Sequence, residues 1–247
     1  MAIVEVCVGS INSAIAALDG DASRVELCDN LNEGGTTPSY GTLQIVRRLM
    51  GIPIHVLIRP RGGDFIYSDE EFEAMLMDIQ MCRKLKMDGV VFGFLKADGE
   101  IDIKKTKIAQ KEAGSLPVTF HRAFDMTPDP YFALDTLIEL RVERVLTSGQ
   151  KNTAIEGREL IKELVVKAAD QIVVMAGSGL NPENINEFAE YTGAKEYHGT
   201  MRSVVRGEMI YKKEGISMGG NPNLSEFERY ETDPGKVAKF VTSLKNL

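Results

Sequence analysis

The stretch Ile3-Val4-Glu5-Val6-Cys7-Val8, followed by a helical segment closed at Gly20 and then by Arg24-Val25-Glu26-Leu27-Cys28, is a strand–helix–strand unit. Two β-rich runs joined through one amphipathic segment pair as parallel neighbours. The pattern then repeats. Further strands are expected at Ile54–Arg59, Val90–Phe94, Val118–His121, Arg144–Thr147, Ile172–Ala176 and Glu196–Gly199, which makes eight strand–helix pairs with the first two, Ile3–Val8 and Arg24–Cys28. Eight such units in 247 residues close most naturally into one (β/α)8 TIM barrel, an α/β fold that routinely uses this length as one domain, here 1–247. A doubly wound open sheet is the alternative, but no Gly-x-Gly-x-x-Gly follows the first strand.

The helical segments carry their own punctuation. Ser68 with Glu71 three residues on reads as a capping box. Asn181-Pro182-Glu183 reads as a capping Asn, a Pro at the first helical position and an acid at the positive end of the dipole. Gly20, Gly51, Gly114 and Gly193 stand where helices should stop. Two connections are long, Asp29–Ser39 after the second strand and the polar Thr200–Asp233 after the eighth. Both belong to the face on which such barrels build their sites, as lids, oligomer contacts or plain surface loops.

The chain is 43% apolar and 26% charged, with a net charge of −7. That balance supports a large core and argues against a nucleic-acid or anionic-membrane surface, which needs clustered Lys and Arg. No run approaches the ~18 apolar residues of a membrane span, and Met1–Glu5 lacks the basic start of a signal peptide. Three cysteines do not make a disulfide framework, so a reducing cytoplasmic compartment is expected.

Strand side chains alternate between the barrel interior and the surrounding helices. With Val4, Val6, Val8, Val25, Leu27, Ile54, Val56, Ile58, Val118 and Phe120 facing the helices, the opposite parity sends Glu5, Cys7, Glu26, Cys28, His55, Arg59, Thr119 and His121 inward. Glu196 and His198 join them if Tyr197 packs outward. Buried carboxylates must be paired, hydrated or bound to something. A network that serves packing alone is one outcome for the deeper Glu5, Glu26 and His55; Arg59, His121 and His198 lie nearer the strand ends, where a functional role is favoured.

The loops at that end are of the same character. Arg59-Pro60-Arg61-Gly62-Gly63-Asp64 offers two guanidinium forks for carboxylate or phosphate. His121-Arg122-Ala123-Phe124-Asp125 combines a group titrating near neutrality, a cation and an orienting carboxylate. Ser148 follows the sixth strand. Gly177-Ser178-Gly179 follows the seventh and is either an anion-binding turn or simply a tight connection.

These segments resemble the CutC family, named for copper homeostasis. The resemblance is carried by Arg24–Cys28, the Glu33-Gly34-Gly35-Thr36-Thr37-Pro38-Ser39 run, Ile58–Phe65, Thr119–Asp125, Leu146–Gln150 and Met175–Gly179, in order over most of the chain. It implies a (β/α) barrel, a cytosolic location and a role in handling Cu(I), and brings no reaction with it. Cys7 and Cys28 correspond to the cysteine-bearing ends of the family's first two strands, which makes them the candidate Cu(I) ligands. Their inward parity on strands about 4.8 Å apart agrees, although staggered interior layers would offset the sulfurs along the barrel axis. A soft ion favours such ligands; the alternative is that the thiols are small buried hydrophobes. Cys82 is expected to pack on a helix.

The competing reading is an enzyme of unassigned reaction acting on a small anionic, phosphate- or carboxylate-bearing molecule. Its candidates are His121, His198, Asp125 and Glu26 for acid–base chemistry, and Arg59, Arg61, Arg122, Ser148, Gly177, Ser178 and Gly179 for the anion. No Ser-His-Asp, phosphate-loop or zinc motif narrows the reaction, and no organic cofactor is expected. A homodimer is expected only because symmetric dimers are common.

Overall fold

The computed structural model describes residues 2–219, 221 and 224–245. Eight parallel strands close in sequence order into a barrel: β1 (Ile3–Val8), β2 (Arg24–Leu27), β3 (Ile54–Leu57), β4 (Gly89–Phe92), β5 (Val118–Phe120), β6 (Arg144–Thr147), β7 (Val173–Gly177) and β8 (Glu196–Gly199). The helices α1 (Ile11–Asp19), α2 (Tyr40–Leu49), α3 (Asp69–Lys84), α4 (Ile103–Ala113), α5 (Pro130–Glu139), α6 (Arg158–Ala168), α7 (Ile185–Thr192) and α8 (Pro234–Ser243) alternate with them. This is the expected (β/α)8 barrel. Among the described residues no helix is long and apolar enough to cross a membrane.

The outer faces of the strands hold the helices. Val4, Val6, Val8, Val25, Leu27, Ile54, Val56, Val118, Phe120 and Tyr197 are buried in one cluster with helical Ala14, Val46, Ile79, Leu137, Leu164 and Phe240. Each fully buried aliphatic side chain stabilises the fold by roughly 1.5–3 kcal/mol, so the main apolar core is this outer layer. β2, β3 and β5 end one or two residues before the apolar pattern suggests. The N–H groups of Cys28, Ile58 and His121 nevertheless still donate to Val8, Val91 and Phe92 carbonyls, which keeps the alternation going up to the mouth.

Local signals mostly act as expected. The Ser68 Oγ accepts from the Glu71 N–H at 3.2 Å while the Glu71 carboxylate accepts from the Ser68 N–H at 2.9 Å. Gly20, Gly114 and Gly193 close α1, α4 and α7, and Gly51 follows the last cap of α2.

Asn181 behaves differently: its side chain accepts from the Glu183 and Asn184 N–H groups. It closes a turn before the helix, and α7 starts at Ile185. The connection after β8 is also more than a polar loop. It contains an antiparallel ribbon, β9 (Arg202–Arg206) with β10 (Glu228–Thr232), tied to α1 by the Thr232 N–H on Ser13 Oγ at 3.1 Å.

Candidate functional site

The floor of the barrel is ionic. Arg24 donates to Glu5 at 2.5 Å and to Glu196 at 2.7 Å; Arg144 grips Glu196 through two nitrogens at 2.6 and 3.1 Å and reaches Thr119 at 3.2 Å. Two carboxylates and two guanidiniums thus balance in a buried layer. Burial raises the Glu5 carboxyl, but Arg24 and then His198 outweigh it and hold the group well below the usual range. His55 lies beside this layer, 3.9 Å from Glu5, and burial pushes it down to about 4, so it is neutral near pH 7.

One layer higher, Glu5 hands over to a reactive cluster. Its second oxygen meets His198 Nδ1 at 2.8 Å, and His198 Nε2 lies 3.7 Å from Glu26. In-register pairing of Cys7 with Glu26 and of Glu5 with His198 places the three side chains together, and the ligand atoms of Cys7, Glu26 and His198 lie within 4.8 Å of one another. Despite the expected stagger, Cys7 Sγ and Cys28 Sγ are 3.6 Å apart, and Cys28 Sγ is 3.3 Å from Glu26.

The protons within this cluster are redistributed. Hydrogen bonding from Cys28, and behind it His198, hold the Cys7 thiol well below its usual value, while burial and then Cys7 push Cys28 up. Burial, with Cys7 next, also raises Glu26. Burial disfavours the charge on His198, but Glu26, Cys7 and Glu5 together raise it well above its usual value. Within the cluster Cys7 thus gives up its proton more readily than a free thiol, while Cys28, Glu26 and His198 hold theirs more tightly than usual. The Cys7 and Cys28 sulfurs, 3.6 Å apart, are the soft donors that would hold a metal ion here. The His198 ring and the Glu26 carboxyl are the neighbouring groups that could add a further donor beside Cys7.

The cluster opens upward into a cavity of about 900 Å³. Cys7, Glu26, Arg59, His121, Arg122, Asp125, Ser178, Gly179 and His198 all line it; Cys28, Arg61, Ser148 and Gly177 do not. His121 accepts the Ala123 N–H on Nδ1, so the proton sits on Nε2, which has no partner among the described residues. Burial and then Arg59 push its pKa down to about 3. At neutral pH it is therefore uncharged, with a ring N–H free to donate a hydrogen bond into the cavity.

Asp125 does not orient His121. It accepts from Arg122, Thr147, Ser148 and Gln150, bracing the turn after β6. Ser148 is fully buried and is spent on Asp125 and the Lys151 carbonyl.

The cations expected to bind an anion are largely occupied. Arg59 donates to the Glu33, Gly35 and Gly63 carbonyls, each at 2.9 Å, and staples two loops together. Arg61 pairs with Glu71 and Asp64 and stacks over Tyr67, away from the cavity. Gly177 provides space rather than contact, since a Cβ there would sit 2.7 Å from Leu146 and 3.1 Å from His198.

Arg24 and Arg144 were not anticipated in the interior. The signal was present, because Arg24 shares the parity of Glu26 and Arg144 that of Leu146. Arg202, Lys236 and Lys239, which also line the cavity, carry no motif that marks them.

Fold and site together define a (β/α)8-barrel protein whose mouth opens onto a buried thiol–carboxyl–imidazole cluster. More narrowly, the chain belongs to the CutC family, whose model matches residues 2–203. It is 46% identical over 245 residues to a human protein named copper homeostasis protein cutC homolog, covering 99% of this chain and 90% of that one. It is 47% identical over 240 residues to a CutC family protein of Parabacteroides distasonis, covering 97% and 99%. The solved structure of CutC from Streptococcus agalactiae matches with a TM-score of 0.78 at 38% identity, over 81% of this chain and 99% of that one. Phosphoribosylanthranilate isomerase of Thermotoga maritima, at 12% identity, full coverage of both chains and TM-score 0.59, shares the fold alone.

Proposed function

We propose that this protein binds Cu(I) in the cytoplasm through Cys7 and Cys28, with His198 as third donor once its Nε2 proton has been released to solvent, as part of copper homeostasis. The observation that carries the reading is a pair of sulfurs 3.6 Å apart at the base of an open cavity, one of them with its pKa held well below that of a free thiol. Soft thiolates are the ligands Cu(I) selects. The relatives' copper-homeostasis name points the same way.

The test is a Cu(I) titration of reduced protein against a competing chelator. Wild type should bind tightly. Cys7→Ala and Cys28→Ala should each weaken binding by at least tenfold, and the double variant should abolish it. Cys82→Ala, which removes a buried thiol packed on α3 whose pKa is pushed up to about 12, should leave binding unchanged. Full affinity in the double variant would refute the site, and serine replacements at both positions guard against a merely unfolded alanine variant.

The size of the cavity favours a second reading, in which the same mouth accepts a small anionic molecule and His198, oriented by Glu5, moves a proton on it. A homodimer is proposed on symmetry grounds only and is read directly by sedimentation.

A further inference from the structure

The cavity is uneven in charge. On the side built by β3 and β5, Arg59 commits its two terminal nitrogens to three carbonyls, with Nε meeting no partner among the described residues, and Arg122 is taken by Asp125 and Ser148. On the side built by β8 and α8, three other cations line the wall: Arg202, Lys236 and Lys239. None of the three has a carboxylate ion-pair partner among the described residues, whereas nearby Arg206 and Arg229 pair with Glu228 and Glu231. They are held in place by other means. The Arg202 guanidinium stacks over Tyr230 at 5.0 Å, and Lys236 Nζ donates to the Arg202 carbonyl at 2.9 Å. Lys239 follows one turn along α8 on the same face.

The turn after β7 borders the same cavity. Ser178 and Gly179 both have positive φ, +81° and +74°. The Ser178 carbonyl is taken by the Ala154 N–H and the Gly179 carbonyl by the Asn184 side chain, each at 2.9 Å. The turn is therefore fastened through its acceptors. The backbone N–H groups of Ser178, Gly179 and Leu180 meet no acceptor among the described residues, and Leu180 is buried. Buried backbone donors are ordinarily satisfied. Glu183 and Glu33 are the carboxylates that share the cavity wall without an ion pair. Both sit on loops, and the Asn30 side chain donates to Glu33.

We infer that Arg202, Lys239 and the 178–180 turn, with Lys236 beside them, form a subsite for the phosphate group of a small organic phosphate whose body fills the cavity above Cys7 and His198. Two cations without a carboxylate partner and three consecutive N–H donors exceed what the two oxygens of a carboxylate need and suit the three terminal oxygens of a phosphate monoester. This deepens the second reading above and rests on it. It keeps the anion at the Ser178–Gly179 turn that the loop sequence offered and moves its cations from Arg59 and Arg61 to Arg202 and Lys239.

The test uses 31P NMR line broadening and calorimetry on the full chain at constant ionic strength, with inorganic phosphate and ribose 5-phosphate as probes and acetate as competitor. Saturable binding of both phosphates is expected, weakened at least tenfold by Arg202→Gln/Lys239→Gln and unchanged by Arg61→Gln. Lys239→Gln alone, at an exposed position with no internal partner to lose, should weaken binding several-fold without touching the fold. Phosphate binding that survives the double variant would overturn the subsite and leave the second reading standing. Equal competition by acetate would overturn the phosphate assignment. Absence of any saturable binding would overturn the subsite together with the reading it rests on.

Discussion

The three histidines of this chain differ in what sets their protons: burial dominates for His55 and His121, neighbouring acids for His198. His198 lies between Glu5 and Glu26 and is held as a cation, while His55 and His121 are buried neutral. The last two make stability depend on pH. Their folded values, about 4 and about 3, lie below the ordinary 6.5, so on acidification the unfolded chain takes up protons that the folded chain does not. Stability contributed by these two sites is therefore full above pH 6.5 and lost as the pH falls. By pH 4 the loss is on the order of 3 kcal/mol for each site, taking about 1.4 kcal/mol per unit of difference. His198 has the opposite sign: its raised value stabilises the fold at low pH, and that contribution fades as the pH rises through the folded value. Urea unfolding followed from pH 7 to pH 4 should show the midpoint falling, and a flat profile would contradict the buried neutral assignments.

At the scale of elements, the strands were legible and the helix starts less so. Period-two alternation placed β1, β6 and β8 at their observed limits, because inward and outward positions face different solvents and cannot be exchanged without turning a strand over. The start of α7 was misplaced because Asn181 and Asn184 cap one another's backbone, with the Asn181 N–H donating to Asn184 Oδ1 at 2.9 Å. The ribbon β9–β10 lay in a segment whose polarity hid its pairing. The polar interior that alternation implied is real, and it joins the strands: Glu196 of β8 is held by Arg24 of β2 and Arg144 of β6. Removing one partner of a buried ion pair strands the other, at a cost of roughly 3–5 kcal/mol. Arg144→Met should therefore lower the thermal midpoint far more than replacing the exposed pair Lys96–Glu100, for which at most about 1 kcal/mol is expected. Equal effects would mean that the interior layer is better hydrated than its contacts imply.

Across the whole molecule, the closed barrel gathers the ends of seven strands, all but β4, around one cavity, and the cavity couples binding to stability. A ligand that binds only the folded state stabilises it by mass action, by about 2.7 kcal/mol when present at a hundredfold excess over its dissociation constant. Cu(I) under reducing conditions should accordingly raise the melting temperature of the wild-type protein and leave that of Cys7→Ala/Cys28→Ala unchanged. An equal rise in both would place copper elsewhere on the surface.

The sequence by itself determined the barrel, the parity of its strands, the inward thiols, acids and histidines, and the family. These are properties of short windows, in which apolar periodicity and caps act over a few residues. Only the tertiary structure decided which of those groups meet. Glu5 and His198, 193 positions apart, become partners because β8 closes against β1. The same closure brings Lys236 of α8 beside Arg202, the first residue of the ribbon. It also assigns Asp125 to the turn after β6 and draws Arg61 away from the mouth to Glu71. Such pairings depend on the register of closure and on where each long side chain finds the nearest opposite charge, and no local pattern encodes either.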